Sequence, residues 1–357
     1  MRSGSLGAAR AAKLTVFACL TAALVVMQNA IPVAAAAPNS VLGVYAGAAY
    51  PPAVRSFTTT VGAQPRFAMD FLNGSTWHTI TQGRWPYTKW KGAGYTMIWG
   101  VDMLPDTYAP NADAAQAGGS CFGLTQGATG AFDHYFSTVG ANIVRAGFPA
   151  SVIRFGWEFN GDWFPWSAQG CASAYIKYFD HIVTTMRAVP GSHFTFEWNA
   201  TWGDLGVGNL SQYYPGNKYV DDIGLDVYDV DKTTYPGAKA EFRRIVTQRY
   251  GLNWLVAFGA THHKAIVLPE WGLGFGTCSA SGQRIRAAGQ QVCGGDNATW
   301  VDLMANWIAT HHVAEATYWD FGTSAVGPGQ NPLTAKVLAT HYGASPTGED
   351  LDPVPDS

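Results

Sequence analysis

The sequence predicts an α/β fold, a single-domain (β/α)8 TIM barrel, on the basis of three observations. Eight short runs of apolar, β-branched or aromatic residues occur in series, and helical patterns separate several of them. Strands that alternate with helices form parallel sheets, and eight such units are typical of a closed barrel. An open doubly wound sheet would usually carry a glycine-rich phosphate turn after its first strand, and the segment 41–50 contains no GxGxxG.

The individual elements follow from these patterns. Strands are predicted at residues 41–46, 66–72, 95–101, 152–158, 193–199, 222–228, 265–270 and 315–321. Helices are predicted at 131–146, 172–189, 238–262, 299–311 and 332–342. The connections 73–94 and 102–130 are rich in Gly, Thr and Pro and are predicted as long loops with little helix. Because TIM barrels carry their chemistry at the C-terminal ends of the strands, the last residues of each run are the candidates for a site.

Residues 1–36 have the pattern of a secretory signal peptide. Three basic residues precede an apolar run at 14–27, and alanines at 34–36 provide small residues for cleavage. A retained membrane anchor is the alternative, but the apolar run is shorter than the roughly 20 residues that a spanning helix needs. We therefore expect a secreted, extracellular protein with its barrel at 37–343 and a disordered acidic tail at 344–357.

The cysteines agree with export. Removal of the signal peptide leaves four of them, an even number that suits disulfides in an oxidising compartment. We predict the pair Cys278–Cys293, which closes a Gly-, Ser- and Gln-rich loop, and the pair Cys121–Cys171, which joins two loops that the topology places side by side. A metal site is the alternative, although no CxxC occurs and the separations are irregular.

The composition argues for a neutral partner. The net charge is −3 and no Lys/Arg cluster occurs, which disfavours binding to nucleic acid or to an anionic membrane. Charged residues make up only 13%, whereas 14 Trp and 16 Tyr suit a large core or the flat faces of sugar rings. We expect a monomer with a neutral partner, with no membrane contact after signal cleavage and with no metal or cofactor.

Two glutamates end predicted strands. Glu158 ends the fourth strand within VIRFGWEFNGDWFPW, and Glu270 ends the seventh within IVLPEWG. In a closed barrel both side chains can reach the same mouth. Two carboxylates that flank a bond allow glycoside hydrolysis, and a separation of ~5–5.5 Å leads to retention of anomeric configuration. For either glutamate alone an ion pair with arginine would be an equally good explanation, so the prediction depends on the pair.

At these residues the chain resembles a known family. FGWEFNGDWFPW is similar to the acid/base motif of glycoside hydrolase family 26, retaining barrel enzymes of clan A best known as endo-β-1,4-mannanases, and IVLPEWG is similar to the nucleophile strand. The resemblance implies that Glu158 is the acid/base and Glu270 the nucleophile. It also implies that Tyr228 hydrogen-bonds the nucleophile and that Trp163 and Trp166 form sugar-facing walls.

One residue departs from the family pattern. Members of family 26 generally carry His immediately before the acid/base glutamate, and the wider clan tends to carry Asn, whereas this chain has Trp157. The preceding residue helps to shape the site of the bound sugar, so the departure weakens the mannan assignment more than the mechanism. A divergent branch that acts on xylan, β-glucan or a microbial wall glycan is therefore an alternative.

Strand alternation identifies supporting residues. Arg154 lies on the same predicted strand face as Glu158, and Asp226 shares a face with Tyr228. Arg154 can reach a neighbouring carboxylate inside the barrel and help Glu270 to stay ionised, while a less polar environment keeps Glu158 protonated.

Other residues near predicted strand ends are weaker candidates. Glu197 lies inside the fifth strand and is predicted as a structural partner of Arg154 or of another buried cation. Trp319, near the end of the eighth strand, lies where clan members often place an aromatic platform for the sugar. Substrate binding, with packing or turn roles as the alternative, is further considered for Asp70, Asp102, Asn160, Trp198, Asn199, Trp202 and Trp271.

Two classes of function remain open. The first is a secreted retaining endo-glycoside hydrolase that cleaves a neutral β-linked polysaccharide, with β-1,4-mannan as the leading substrate. The second is a non-catalytic glycan-binding barrel that uses its aromatic residues as a lectin does. The presence of both strand-end glutamates favours the enzyme.

Overall fold

A computed structural model describes residues 39–108, 121–229, 237–274, 277–278, 284–285, 295–327 and 329–343. Eight parallel strands form a closed barrel. The barrel strands are β1 (Asn39–Tyr45), β2 (Pro65–Phe71), β3 (Thr96–Gly100), β4 (Val152–Arg154), β5 (Thr195–Thr201), β6 (Asp222–Asp229), β7 (Ala265–Leu273) and β8 (Glu315–Trp319). Residues Thr277–Cys278 and Arg284–Ile285 form a separate short antiparallel pair.

The barrel closes between its first and last strands. Each strand pairs with its neighbours in chain order, and β1 pairs in parallel with β8, where Tyr45 lies opposite Trp319. Closure therefore brings the C-terminal ends of all eight strands around one mouth. The predicted (β/α)8 barrel is confirmed.

Helices surround this barrel. They are α1 (Pro51–Val61), α2 (Trp77–Gln82), α3 (Trp85–Trp90), α4 (Phe122–Gly127), α5 (Asp133–Ala146), α6 (Ala172–Arg187), α7 (Ala238–Thr247), α8 (Leu252–His262), α9 (Ala298–Thr310) and α10 (Pro332–Tyr342). The connections predicted as loops contain three short helices, α2, α3 and α4. The helix α1 is a further difference from the predicted elements. It begins at a proline and ends before Gly62, which is in the left-handed conformation, and both are ordinary helix-boundary signals.

The predicted helix at 238–262 is in fact two helices. The chain becomes extended at Gln248, and Tyr250 has a positive φ of 58°. Gly251 then packs so tightly that a Cβ there would lie 2.0 Å from the carbonyl oxygen of Ile245. Only glycine fits at this contact, and the helical hydrogen-bond ladder restarts after it.

The largest correction concerns the fourth strand. It was predicted to continue to Glu158, but β4 ends at Arg154. Gly156 and Glu158 both have positive φ values, 60° and 49°, which an extended strand cannot contain. The backbone N–H of Glu158 instead donates a 3.0 Å hydrogen bond to the carbonyl oxygen of Asn199. Glu158 therefore lies on a turn anchored to β5 rather than on a strand.

The core lies mainly between the sheet and the helices. Large side chains there are fully buried, including Phe57 on α1, Phe136 on α5 and Trp300 on α9. A smaller apolar cluster, centred on Met69 and Ile98, packs together separately. Burial of each large aliphatic or aromatic side chain contributes about 1.5–3 kcal/mol, so this packing holds the strand ends in fixed positions.

One predicted disulfide is confirmed. Cys121 and Cys171 are bonded, with their Cα atoms 5.6 Å apart, and the bond links the start of α4 to the start of α6. The side chains of the predicted pair Cys278–Cys293, the signal peptide and the tail at 344–357 lie outside the described residues. None of the helices in the described part of the chain is long and apolar enough to cross a membrane.

Candidate active site

Glu270 lies on β7 and is bound by two donors. Nη1 of Arg154 donates to Oε1 at 2.6 Å, and the hydroxyl of Tyr228 donates to Oε2 at 2.5 Å. Each carboxylate oxygen thus has its own donor, one of them a permanent cation. This arrangement stabilises the charged carboxylate and fixes its plane.

Arg154 is fully buried and connects three strands. Its Nη2 pairs with Oδ2 of Asp226 at 2.5 Å, and its Nε donates to Oδ1 of Asn199 at 2.8 Å. The side-chain amide of Asn199 also donates to Oδ1 of Asp226 at 3.2 Å. Burial disfavours the charged guanidinium, but the carboxylates of Asp226 and Glu270 outweigh it and raise the pKa of Arg154. The cation is therefore permanent.

Glu158 has a different environment. It is partly exposed, and its Oε2 accepts a 2.8 Å hydrogen bond from the indole N–H of Trp163. Burial, with a further contribution from the negative charge of Glu270, raises the pKa of Glu158 to about 7, although Trp163, Arg154 and the side chain of Thr201 act in the opposite direction. Glu158 thus keeps its proton to a higher pH than an ordinary glutamate does.

The charges near Glu158 also favour its protonated form. Three acids, Asp226, Glu270 and Glu158, lie close enough to influence one another, and Arg154 is the cation among them. Arg154 forms ion pairs with Asp226 and Glu270. The donor to Glu158 is a neutral indole, so a proton on Glu158 reduces the excess of negative charge in this group.

Aromatic rings line the mouth beside Glu270. The rings of Trp319 and Tyr45 are 4.2 Å apart, and the ring of Trp319 lies 6.5 Å from that of Tyr228. Phe71, at the end of β2, packs edge-on against Tyr45 at 5.3 Å. Trp163 is 46% exposed beside Glu158, which is the position expected of a sugar-facing wall. The structure thus places Trp319 and Trp163 where the sequence analysis predicts them.

Trp157 forms part of the same apolar surface. Its ring packs against Phe71 at 5.4 Å and Phe164 at 5.4 Å, and the guanidinium of Arg154 lies 5.2 Å from its centre. The side chain is almost completely buried. Trp157 therefore supplies a packed, apolar support for Arg154.

Four candidate residues have structural positions instead. Trp166 is buried and donates its indole N–H to the carbonyl oxygen of Trp157 at 2.7 Å, so it does not face a sugar. Asn160 is also buried, and its amide bonds both backbone groups of Thr201, which holds the loop after β4 against the end of β5. The remaining two residues are Trp198 and Trp271.

These two tryptophans point out of the barrel. Trp198 packs against Phe258 of α8 at 5.6 Å, and Trp271 packs against Tyr318 at 5.2 Å. Strand alternation explains both positions, because Asn199 and Glu270, their chain neighbours, point inward. Both tryptophans belong to the core around the barrel.

The weaker polar candidates Asp70 and Glu197 are both buried, but their contacts differ. Asp70 is buried and accepts hydrogen bonds from the backbone N–H of Ala49 and the indole of Trp90, so it anchors loops at the mouth. Glu197 is buried, but the ion pairs of Arg154 in the described residues go to Asp226 and Glu270 instead. Burial raises the pKa of Glu197 to about 8.

Tyr45 and Phe71 were missed by the sequence analysis. Both are the last residues of their strands, which is the position that the barrel rule selects. The predicted strands extend one residue further, to 46 and 72. Each therefore ends at an aliphatic residue instead of the aromatic one before it. Asn199 was named only as a possible subsite residue, and its contacts with Arg154 and with the backbone of Glu158 were not anticipated.

A barrel whose mouth carries two glutamates, one with a raised pKa and the other paired with arginine, has the arrangement of a glycoside hydrolase. Residues 142–262 match the family described as Glycosyl hydrolase family 26. This match spans about a third of the chain and agrees with the assignment that the resemblance in its sequence implies. Within the described residues, no group of three or more His, Cys, Asp or Glu is arranged to hold a metal ion.

Similar proteins agree with this assignment. Endoglucanase H of Acetivibrio thermocellus is 25% identical over 222 residues, which is 55% of this chain. The chain spans only 22% of the length of that protein. Among solved structures, GH26C from a Muricauda species superposes with a TM-score of 0.57 at 12% identity and covers 85% of each chain. A GH26 β-mannanase from Bacteroides ovatus superposes with a TM-score of 0.54 at 13% identity, covering 87% of this chain and 94% of its own. These structural likenesses show the shared fold.

Proposed function

We propose that this protein is a retaining endo-glycoside hydrolase that cleaves a neutral β-linked polysaccharide through a covalent glycosyl-enzyme. The observation that carries the proposal is the contrast between its two glutamates. Glu158, bonded to an indole, has a pKa raised to about 7, whereas Glu270 is paired with Arg154 and Tyr228. One acid that holds its proton beside one carboxylate that is charged is the requirement for double displacement.

The first step follows from a proton on Glu158 and a negative charge on Glu270. A carboxylate oxygen of Glu270 attacks the anomeric carbon and forms an ester bond as the glycosidic C–O bond breaks. Glu158 donates its proton to the departing oxygen, so the leaving chain departs as a neutral alcohol. Arg154 and Tyr228 hold Glu270 in position for the attack.

The second step reverses the roles. Glu158, now charged, takes a proton from water while the water oxygen attacks the anomeric carbon. The ester bond to Glu270 breaks, the carboxylate is restored with its two hydrogen bonds, and Glu158 is protonated again. Two inversions at the anomeric carbon give net retention.

For the substrate we propose β-1,4-mannan. The support is the family 26 match and the fold shared with a GH26 β-mannanase. β-1,4-Glucan is the second candidate, because the chain is also similar to a protein named Endoglucanase H. The buried ring of Trp157 is relevant to the choice, since it presents an apolar surface where the family pattern has an imidazole.

The test measures release of reducing ends from mannan, mixed-linkage glucan, xylan and a microbial wall glycan. The wild-type protein should hydrolyse one of these preferentially, and Glu158→Gln and Glu270→Gln should each lose at least about a thousandfold in kcat. Glu197→Gln is the matched control, because it changes a buried barrel glutamate away from the pair and should keep the activity. A wild-type protein that binds a glycan but releases no sugar from any of them would favour the glycan-binding barrel.

Product length and stereochemistry complete the test. An endo-acting enzyme releases oligosaccharides of several lengths from the start of the reaction, and a retaining one first releases the β-anomer. Exclusive release of single sugars would contradict endo action, and initial α-anomer would contradict the role of Glu270 as nucleophile.

We also propose that the protein is exported and cleaved near residue 36. The basic and apolar pattern at the N-terminus supports this, as does the Cys121–Cys171 disulfide, since such bonds persist mainly in oxidising compartments. N-terminal sequencing of protein recovered from the culture medium is the test, and an intact Met1 would contradict it.

A further inference from the structure

Glu158 has a backbone conformation that its surroundings must hold in place. Its φ is 49°, and Gly156, two residues earlier, has a φ of 60°. Residues with a Cβ rarely adopt the left-handed region, and they stay there only where neighbouring groups fix the backbone. The direction of the Glu158 carboxyl group therefore depends on the contacts that fix this turn.

Every backbone carbonyl oxygen of the turn, from Gly156 to Asn160, accepts a hydrogen bond. In chain order the donors are the hydroxyl of Tyr175 at 3.2 Å, the indole of Trp166 at 2.7 Å, the backbone N–H groups of Gly161 at 2.9 Å and Ala168 at 2.8 Å, and the side-chain amide of Gln169 at 3.1 Å. Four of these donors lie in the loop at 161–169, whereas Tyr175 lies on α6. Tyr175 thus connects the first carbonyl of the turn to a helix.

Side chains hold the two peptide planes that precede Glu158. The hydroxyl of Tyr175 bonds the carbonyl oxygen of the first plane. The second plane is bonded at both ends, because its carbonyl oxygen accepts from the indole of Trp166 and its N–H donates to the carbonyl oxygen of Asn199 at 3.0 Å. Rotation of either plane would change the direction of the Glu158 side chain.

Tyr175 is itself fixed in the core. Its side chain is fully buried, and its ring packs against Phe159 at 4.8 Å. Its backbone N–H donates to the carbonyl oxygen of Cys171 at 3.0 Å, and a disulfide joins Cys171 to Cys121 at the start of α4. A Cβ at Gly156 would lie 3.2 Å from the hydroxyl oxygen of Tyr175, so the turn packs directly on this side chain. A hydroxyl with so little freedom can hold the group to which it donates in one position.

We propose that Tyr175 is a positioning residue for proton donation by Glu158. Its hydroxyl orients the turn so that the Glu158 carboxyl group reaches the oxygen of the departing sugar. Tyr175 acts through the backbone and is buried away from the substrate. This inference rests on the proposed function, in which Glu158 is the acid. Loss of the hydroxyl should therefore impair proton donation and leave the attack by Glu270 intact.

The experiment compares two substrates that differ in their need for an acid. With the glycan that the wild type hydrolyses, kcat/KM is measured on an unactivated oligosaccharide and on the dinitrophenyl glycoside of the same sugar chain. Dinitrophenolate departs as a stable anion, so its release needs no proton from Glu158. Tyr175→Phe should lose about tenfold to a hundredfold on the oligosaccharide and less than about twofold on the dinitrophenyl glycoside.

Three further variants complete the comparison. Tyr178→Phe is the matched control, because it removes another fully buried hydroxyl of α6, one that donates to the carbonyl oxygen of Met103 at 2.6 Å, and it should keep both activities. Glu158→Gln is the reference for a lost acid and should show a larger loss that is also confined to the oligosaccharide. Trp166→Phe removes the donor to the second peptide plane and should repeat the selective loss, so the test remains if Tyr175→Phe does not fold.

The outcomes separate the two proposals. An equal loss on both substrates for Tyr175→Phe would overturn the positioning role, because general damage to the fold affects both, while the proposed function stands. An unchanged kcat/KM on the oligosaccharide would overturn it as well. If Glu158→Gln lost activity equally on both substrates, Glu158 would not be the acid, and the proposed function would fail together with the inference.

Discussion

The hydroxyl of Tyr228 donates a 2.5 Å hydrogen bond to Oε2 of Glu270, the oxygen that Arg154 does not bond. Each donor thus bonds one oxygen of the carboxylate. The tyrosine is a neutral donor, and the other donor is the Arg154 cation. A neutral donor stabilises the charge of Glu270 without making it as poor a nucleophile as a second cation would.

Removal of that hydroxyl should slow catalysis. A hydrogen bond to a charged group contributes about 1.5–3 kcal/mol, so Tyr228→Phe is expected to lower kcat roughly 10- to 150-fold with a smaller effect on KM. An unchanged kcat, with thermal unfolding like that of the wild type, would show that Oε2 needs no donor.

The alkaline limb of the pH profile should report Glu158. Its pKa of about 7 predicts that kcat/KM falls as pH rises through 7, because the general acid loses its proton. The indole of Trp163 stabilises the charged form of Glu158 and lowers its pKa. Trp163→Phe should therefore shift the alkaline limb to higher pH while keeping an aromatic ring at the mouth. A shift to lower pH would contradict the assigned direction of this hydrogen bond.

Loss of the central cation should be severe. Arg154→Met leaves Asp226 and Glu270 buried without their ion pair, and breaking a buried pair typically costs about 3–5 kcal/mol in free energy of unfolding. Chemical denaturation measures this loss. Arg187→Met is the control, because its pair with Asp221 is about one-third exposed and should contribute at most about 1 kcal/mol. Equal losses for the two variants would contradict the role assigned to Arg154.

Folded Arg154→Met protein permits a second measurement. Without the guanidinium, Oε1 of Glu270 loses its donor, so kcat should fall by a larger factor than KM rises. A kcat equal to that of the wild type would mean that Arg154 acts only in folding.

Glu197 should make stability depend on pH. Burial raises its pKa to about 8 in the folded protein, whereas the unfolded chain ionises it near 4.5. The folded state therefore binds the extra proton between these values, and this contribution to stability is lost as pH rises from about 4.5 through 8. Glu197→Gln should remove the dependence, so its free energy of unfolding relative to wild type should rise between pH 5 and pH 8. A constant difference across that range would contradict the raised pKa.

Most of the barrel could be predicted from the sequence because its periodic signals are local. Seven strands and the longer helices other than α1 follow directly from apolar runs and helical spacing. The break between α7 and α8 was missed, since it depends on a tight contact between Gly251 and the carbonyl oxygen of Ile245 that sequence spacing does not reveal. The early loops were taken to lack helix because Gly, Thr and Pro are frequent there, although short helices tolerate them at their ends.

The two glutamates of the proposed catalytic pair could be predicted from the sequence, but their geometry could not. Two glutamates near strand ends were sufficient to identify the pair, and strand alternation correctly placed Arg154 and Asp226 inside. The same rule, applied to Trp198 and Trp271, would have placed both outside, where they lie. The positive φ of Glu158 could not be foreseen, because glutamate has no strong preference for the left-handed region and the turn depends on a hydrogen bond to a distant strand.

Asn199 is connected by hydrogen bonds to both glutamates of this site. Its backbone oxygen binds the N–H of Glu158, and its side chain binds Arg154, which in turn binds Glu270. A small displacement of β5 should therefore carry both glutamates in the same direction, so that the gap between them changes less than the position of either. We expect thermal motion of this strand to be correlated across the site, which protects the stereochemical outcome of a reaction that depends on the separation of two carboxylates.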